Sequence, residues 1–498
     1  MKVALVHLTR GADSTPASPL VDHLGLESIA ATLLAWGHEP ILIDSGPTGL
    51  DADGVLDALR QASPDLAGFA VNYVNIRDTL NLVTRVRRDL PDTPLVAGSH
   101  YATFHADALL RGPVAFDGVI LGEGEVPMAN LANADRERWG EVPGLAWVES
   151  GRIRKTPLPS PLPLDDLPTA YRSSLRGLAI LPRGCAKVAV EASRGCAHAC
   201  SFCSIAACQA LAGDARHRRL RSPEAVATEI RGIVQEWGLR DFWFMDADFL
   251  GGPKDKKRIL ALAEAIADIG PGITLEIDAR ADSVSRETIR ALKAAGLERA
   301  FLGVESFDQE TLNSFAKGAT VEGNLRAIRI LEEEGVRPIL GSIMFHPKST
   351  LAQLCREHEA LSRIGYEKTQ MLFRLKKYKG SRDAADALDC QGRGVSPYED
   401  YGWEFSDPQV RLIWEFFDNA RLQLLDIIFV DQTLAFRQGK IGVSQFNRKI
   451  DLVFGRLKDY MDIILQTILK QKSFNEEVFR EITQNEIGRL SFDNIINQ

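Results

Sequence analysis

Three cysteines define the chemistry this sequence can do. Cys196, Cys200 and Cys203 stand at a C-x3-C-x2-C spacing within Ser193-Arg194-Gly195-Cys196-Ala197-His198-Ala199-Cys200-Ser201-Phe202-Cys203. Thiolates are soft ligands suited to iron–sulfur clusters, and a run this short can curl around one face of a cluster. A closed four-iron cluster takes four protein thiolates, so three leave one iron open to a substrate or cofactor. The plain alternatives are a zinc knuckle or a chance grouping of buried thiols. Zinc sites use paired ligands, and no second pair follows at zinc-finger spacing. His198 lies inside the loop, where a fourth tetrahedral position is awkward. The residues favour an open iron–sulfur cluster.

The rest of the chain must hold that loop. At 498 residues it exceeds one ordinary core, and its 45% hydrophobic and 25% charged composition is that of a globular protein. No apolar run is long enough to span a membrane, and Lys2 to Leu8 reads as a strand rather than a signal peptide. Seven cysteines, an odd number, suit a reducing cytoplasm better than a disulfide framework. Cys185, Cys208, Cys355 and Cys390 read as packing residues, with Cys185 and Cys208 close enough in sequence to test as a pair. A net charge of −8 does not point to nucleic acid. The basic run Arg216 to Arg221 reads as a solvated loop or an anion contact.

Residues up to about 135 alternate strand and helix. Strands are expected at Lys2 to Leu8, Pro40 to Asp44, Leu66 to Val71, Pro94 to Ala97 and Gly118 to Leu121. Helices are expected at Leu24 to Trp36, Thr79 to Arg88 and near Ala106 to Leu110. That pattern predicts a doubly wound, flavodoxin-like parallel sheet with ligands at the carboxyl ends of its strands. Two strand-end loops carry glycines, Gly98-Ser99-His100-Tyr101-Ala102-Thr103 and Gly122-Glu123-Gly124-Glu125, where a backbone can approach a bulky ligand. No G-x-G-x-x-G follows the first strand, which argues against an ordinary dinucleotide site. Residues 141–184 are proline-rich and read as a linker packed along a domain surface.

A second alternating block has strands at Lys187 to Glu191, Asp241 to Met245, Ile273 to Ile277, Ala300 to Val304, Ile339 to Phe345 and Thr369 to Phe373. Ser222, Ser285 and Thr320 start helices; Gly296 and Gly335 end them. Six βα repeats predict a (βα)6 partial TIM barrel whose chemistry lies at the strand carboxyl ends, and the cysteines follow its first strand. Lys376, Lys377, Tyr378 and Lys379 after the last strand read as a solvated basic loop. Residues 386–498 read as a mostly helical region that caps the barrel.

The cysteine spacing at the end of a barrel's first strand resembles the CxxxCxxC motif of the radical S-adenosylmethionine (SAM) superfamily. Leu302-Gly303-Val304-Glu305-Ser306 and Gly341 to Thr350 are similar to its fourth- and fifth-strand segments, with Phe345 where a glycine is usual. Gly25 to Ala31, Pro64-Asp65-Leu66 and the two glycine loops resemble the cobalamin-binding domain of the B12-dependent subgroup. No D-x-H-x-x-G occurs, and Ser99 replaces a family glycine. The resemblance covers about residues 1–385. It implies a cobalamin-binding domain over 1–140 and a radical SAM barrel over 185–385, on either side of the linker over 141–184.

The same resemblance implies a [4Fe–4S] cluster on Cys196, Cys200 and Cys203, and SAM contacts from Phe202, Asp246, Asp248, Arg280 and Glu305. Leu26, Asn72, Tyr73, Gly98, Ser99, His100, Gly122, Glu123, Gly124 and Glu125 would contact cobalamin. It also implies an electron donor such as flavodoxin or ferredoxin, and reductive cleavage of SAM to a 5′-deoxyadenosyl radical. The subgroup's commonest outcome is methylation of an unactivated carbon of a small molecule or peptide. A cyclisation, ring contraction or oxidation without methyl transfer is a second expectation, and a non-catalytic iron–sulfur protein a third.

Overall fold

The structure is a computed structural model. It describes residues 1–9, 20–112, 114, 116–213, 218–369, 371–384, 403–427, 442–470, 476–477 and 480–481. Two seven-stranded sheets organise it. The first contains β1 (Lys2–His7), β3 (Glu39–Asp44), β4 (Leu66–Ala70), β5 (Leu95–Gly98) and β6 (Gly118–Ile120). Its order is β3-β1-β4-β5-β6, all parallel, so the chain reverses direction across the sheet between β1 and β4. Ligands bind at such switch points.

Helices Leu24–Ala35 and Glu125–Ala132 cover one face, burying Leu26, Ala30, Leu33 and Met128. Helices Ala52–Ala62 and Ile76–Asp89 cover the other, burying Val55, Leu59, Leu82 and Val86. The helix at Ala52–Ala62 is absent from the sequence expectations, although Asp51 caps it by accepting from Gly54 N.

The stretch read as a linker is partly sheet. β7 (Leu145–Glu149) and β8 (Arg152–Lys155) form an antiparallel hairpin on the β6 edge. The Leu145, Ala146 and Trp147 side chains supply burial that a swinging linker would lack.

The second sheet contains β9 (Ala186–Val190), β12 (Asp241–Phe244), β13 (Thr274–Arg280), β14 (Leu297–Glu305), β15 (Arg337–Phe345) and β16 (Met371–Arg374). These are the six expected strands, parallel and in chain order. The helix starts are as read: Ser222, Ser285 and Thr320 accept from Ala225 N, Thr288 N and Gly323 N. A seventh strand was not expected. β2 (Leu20–Val21), from the N-terminal part of the chain, pairs with Ala186 and Lys187 of β9 and ties the two halves into one body.

Beyond the barrel, helices Pro408–Ile427 and Val443–Leu469 bury Val410, Ile413, Phe417, Tyr460, Met461 and Ile464 in the barrel's outer core. Phe345 packs 5.0 Å from the Trp414 ring. The described part of this region therefore faces the core. Residues 385–402 and 428–441 and Cys390 lie outside the described residues. Among the described residues no helix is long and apolar enough to cross a membrane.

Candidate functional site

The cysteine loop leaves β9 through a short ribbon. β10 (Ser193–Arg194) pairs antiparallel with β11 (Arg219–Leu220). Gly195 follows with φ +89°, a conformation that glycine adopts without steric cost. Cys196 is half-buried, and its N–H donates to Gln209 Oε1 at 3.2 Å. Cys200 is buried, and Cys203 caps the helix Ser204–Leu211. The segment after β16 holds the loop from outside: Ser201 Oγ donates to Asp383 at 2.8 Å, and Arg382 donates to the Ala199 carbonyl.

Burial raises the Cys196 and Cys203 thiols above their ordinary value, so these groups need a metal or cation to become thiolates. Among the described residues no three His, Cys, Asp or Glu side chains converge as the ligands of one ion would. A four-iron cluster asks for a wider set, because each thiolate binds a separate iron. Three half-to-fully buried cysteines on one short loop fit that donor set.

Arg280, at the end of β13, points at this loop. Its Nη1 lies 3.4 Å from Cys200 Sγ and its Nη2 donates to the Lys317 carbonyl, while Asp282 receives Nε at 2.9 Å and Nη2 at 2.8 Å. Glu305, at the end of β14, has φ +60° and pairs with Lys317 Nζ at 2.7 Å. That strained backbone turns its carboxyl back over the barrel mouth. Phe202 is half-buried, 5.4 Å from Phe315.

The two aspartates after β12 hold the neighbouring loops. Asp246 accepts from Ala192 N at 3.0 Å and from Ser193 Oγ, fixing the entrance of the cysteine loop, and burial raises its carboxyl to about 6. Asp248 accepts from Arg280 N and Ser283 Oγ, both at 3.4 Å.

A cavity of about 530 Å³ separates this mouth from the first sheet. Leu26, Gly98, Ser99, His100 and the run Gly122 to Glu125 line one side. Ser193 to Gly195, Gln209, Met245 and the proline-rich strap Leu158 to Leu162 line the other. A Cβ on Gly98 would meet nothing within 4 Å, and one on Gly124 would strike Ile29 at 2.8 Å. The glycines thus keep the strand-end wall smooth for a large flat ligand.

Two expected contacts are not brought there. Asn72 closes a turn, accepting from Val74 N at 3.0 Å and Asn75 N at 3.1 Å. Tyr73 packs 5.0 Å from Tyr101 and 4.7 Å from Tyr378, in an aromatic cluster that joins the basic segment after β16 to the first domain.

The glutamates of the second glycine loop serve as clasps. Glu125 lies 2.8 Å from Arg194 Nη2, and Glu123 pairs with Arg194 at 3.2 Å and with Arg219. Below them Arg172 donates to Asp22 at 2.9 Å, Glu27 at 2.8 Å and Glu229 at 2.5 Å, all buried. Burial and repulsion from Asp22 push Glu27 well above its usual range. The basic run is therefore neither a solvated loop nor an anion site where it is described. Arg218 pairs with Asp255 at 3.0 Å and Arg221 with Glu229 at 2.5 Å.

Cys185 and Cys208 are not joined as a disulfide; the first is buried beside β9 and the second is on the cavity wall. His23 also lines the cavity, where burial and neighbouring His7 lower its ring to about 4. Nothing in the local sequence pattern signalled His23, Gln209 or the strap as wall residues.

Family models match both halves of this geometry: the B12 binding domain over residues 17–132 and the radical SAM superfamily over 190–359. The chain belongs to the cobalamin-dependent radical SAM enzymes. It is 31% identical over 332 residues to the hopanoid C-3 methylase of Methylococcus capsulatus, covering 64% of this chain and 59% of that protein. To the anaerobic magnesium-protoporphyrin IX monomethyl ester cyclase of Synechocystis it is 28% identical, covering 63% and 62%. The chain thus spans about three-fifths of each of these two relatives. Its fold matches the cobalamin-dependent SAM radical enzyme OxsB with aqua-cobalamin bound, at a TM-score of 0.76 and 17% identity, over 100% of this chain and 78% of that one. The cofactors of this enzyme are a [4Fe–4S] cluster, SAM and cobalamin.

Proposed function

We propose that the protein is a C-methyltransferase that removes a hydrogen from an unactivated carbon of a small molecule or peptide and replaces it with methyl. The observation that carries this reading is the cavity wall. The glycine loops after β5 and β6 and Ser193 to Gly195 and Gln209 of the cysteine segment line one cavity. Bound there, the cluster and SAM would supply a hydrogen-abstracting radical, and cobalamin a transferable methyl group.

The chain's own residues then have defined tasks. Cys196, Cys200 and Cys203 would hold the cluster and leave one iron open. Arg280 sets a fixed positive charge beside Cys200, a position suited to an anionic carboxylate of SAM. Glu305, turned by its positive φ and steadied by Lys317, offers an acceptor at the same mouth. Gly98, Ser99, His100, Gly122 and Gly124 offer the smooth wall for the corrin. Arg194 with Glu123 and Glu125, and Arg172 with its three carboxylates, tie the two walls together and so hold their separation.

Reconstituted protein given SAM, cobalamin, a reducing system such as flavodoxin, and candidate substrates should yield 5′-deoxyadenosine and a product heavier by one CH2. Failure to cleave SAM under any of these conditions would sink the reading. The cyclase relative gives a second reading, radical chemistry without methyl transfer, which an unmethylated product would select.

A further inference from the structure

On the lumen-facing row of β13 one acid has no ion pair. Along β13, Leu275 and Ile277 lie in the outer core against the helices, so Glu276, Asp278 and Arg280 face the lumen. Arg280, at the top, reaches Cys200. Glu276, at the bottom, is held between Lys187 of β9 and Arg299 of β14. Asp278 lies between them, about 6.6 Å below Arg280 at the usual rise of a strand.

Its surroundings are specific. Asp278 is half-buried, and its Oδ1 accepts from Trp243 Nε1 at 3.1 Å. On β14 it is level with Phe301, and Met245, the residue after β12, is 48% exposed and lines the cavity. Asp278, Trp243 and Phe301 each keep part of their surface exposed, so the lumen is open at this level. The other strand-borne acids at the mouth and lumen have cations: Glu191 has Arg194, Glu305 has Lys317, and Glu276 has Lys187. Among the described residues no Lys, Arg or His pairs with Asp278. Burial raises its carboxyl to about 7 against the Trp243 bond, with repulsion from Glu276 and Asp246 added and Lys187 opposing.

A part-buried acid without a counter-ion either keeps a proton or receives a cation. We propose that Asp278, steadied by Trp243, is a substrate anchor in the barrel lumen and receives the protonated amino group of an amine-bearing substrate. The inference rests on the radical SAM reading above and names a substrate class within it. A hydroxyl would satisfy an acceptor but leave the charge; an ammonium satisfies both. The anchor lies two residues deeper than Arg280, so it would hold the substrate's far end while its reacting carbon stays at the mouth.

The test uses the full-length, cluster- and cobalamin-loaded protein with saturating SAM, and three probes of one length: octylammonium, octanol and octanoate. Binding is read by ligand-observed NMR. Wild type should bind octylammonium roughly tenfold more tightly than octanol, the gain of one charge-assisted bond, with octanoate weakest. Asp278→Asn should erase the difference between the first two while still binding octanol, which also reports that it is folded. Asp278→Glu should keep the preference, and it carries the test if the Asn variant does not fold. Equal binding of octylammonium and octanol by wild type, or a preference that survives in Asp278→Asn, overturns the proposal. A preference that appears only in a parallel titration without SAM also overturns it, by assigning the carboxyl to SAM. The measurement needs no turnover, so a protein that shows the preference yet never cleaves SAM refutes the functional reading alone.

Discussion

Arg194 Nη2 stands 2.8 Å from Glu125 Oε1, joining the residue two before Cys196 to the first turn of a helix against the first sheet. Burial alone would raise the Glu125 carboxyl, but Arg194 outweighs it and holds it below its ordinary value. Arg194→Met leaves Glu125 and Glu191 without their cation, and should cost about 3–5 kcal/mol in denaturant unfolding. Glu125→Gln should cost less, about 1–3 kcal/mol at neutral pH. The stabilisation from a depressed carboxyl is present above its unfolded value and lost as pH falls through the folded one. Wild type and Glu125→Gln should therefore converge below about pH 4. Curves that stay parallel into acid would show that the pair does not stabilise the fold.

Glu357 should give the opposite slope. It is fully buried, accepting from Phe307 N at 2.9 and 3.0 Å and from Ser306 Oγ, behind the turn that carries Glu305. Burial raises its carboxyl to about 7, with those donors opposing. A raised acid contributes stability below its unfolded value of 4.5 that is lost as pH rises through about 7. Glu357→Gln keeps an acceptor for Phe307 N without the charge. Relative to wild type it should gain stability between pH 4.5 and 8, by up to about 3 kcal/mol. Unfolding midpoints of the two proteins across that range check this, and a difference independent of pH would refute it.

These acids also mark what the sequence could and could not tell. The cysteine spacing, the strand alternation and the helix starts are local signals, so the loop, both sheets and the helix caps at Ser222, Ser285 and Thr320 were legible. Pairing between distant segments is not local. Two residues, Leu20 and Val21, join the barrel sheet across a sequence gap longer than a domain, and no periodicity announces so short a strand. The hairpin Leu145 to Lys155 was hidden behind neighbouring prolines that read as linker. Glu123 and Glu125 line the cavity, as the resemblance led one to expect, but only the fold shows Arg194 and Arg219 reaching them. Asp278 had no motif at all, and its meaning appears only when the inward-facing row of β13 is seen beside Trp243.

Arg280 tests whether geometry or charge matters at the cluster. Its guanidinium spends all three nitrogens at once, on Asp282, the Lys317 carbonyl and Cys200 Sγ. Burial opposes the charge, yet the Asp282 pair holds the group protonated well above its usual value. A lysine has the charge but not the planar fork, so it cannot make these contacts together. Arg280→Lys should lower the rate of reductive SAM cleavage at least about tenfold, the equivalent of one charge-assisted hydrogen bond. Glu305→Gln, which keeps the shape and breaks the Lys317 ion pair, should fall less. Full cleavage by Arg280→Lys would show that the fork is not needed.

The cysteines themselves give the sharpest discrimination. Cys196, Cys200 and Cys203 share one loop, whereas Cys208 lies a turn and a half further along the helix Ser204–Leu211, on the cavity wall. Burial raises the Cys208 thiol to about 12, with Cys203 adding to the shift, so it offers no thiolate at neutral pH. Each of Cys196→Ala, Cys200→Ala and Cys203→Ala should lose most of the iron and the visible charge-transfer band after anaerobic reconstitution, because two thiolates hold a four-iron cluster poorly. Cys208→Ala and Cys185→Ala should retain the wild-type iron content. Iron and acid-labile sulfide assays on the five variants decide it: a Cys208→Ala protein that loses iron with the others would make that thiol a fourth ligand, and the cluster would no longer have an open site for SAM.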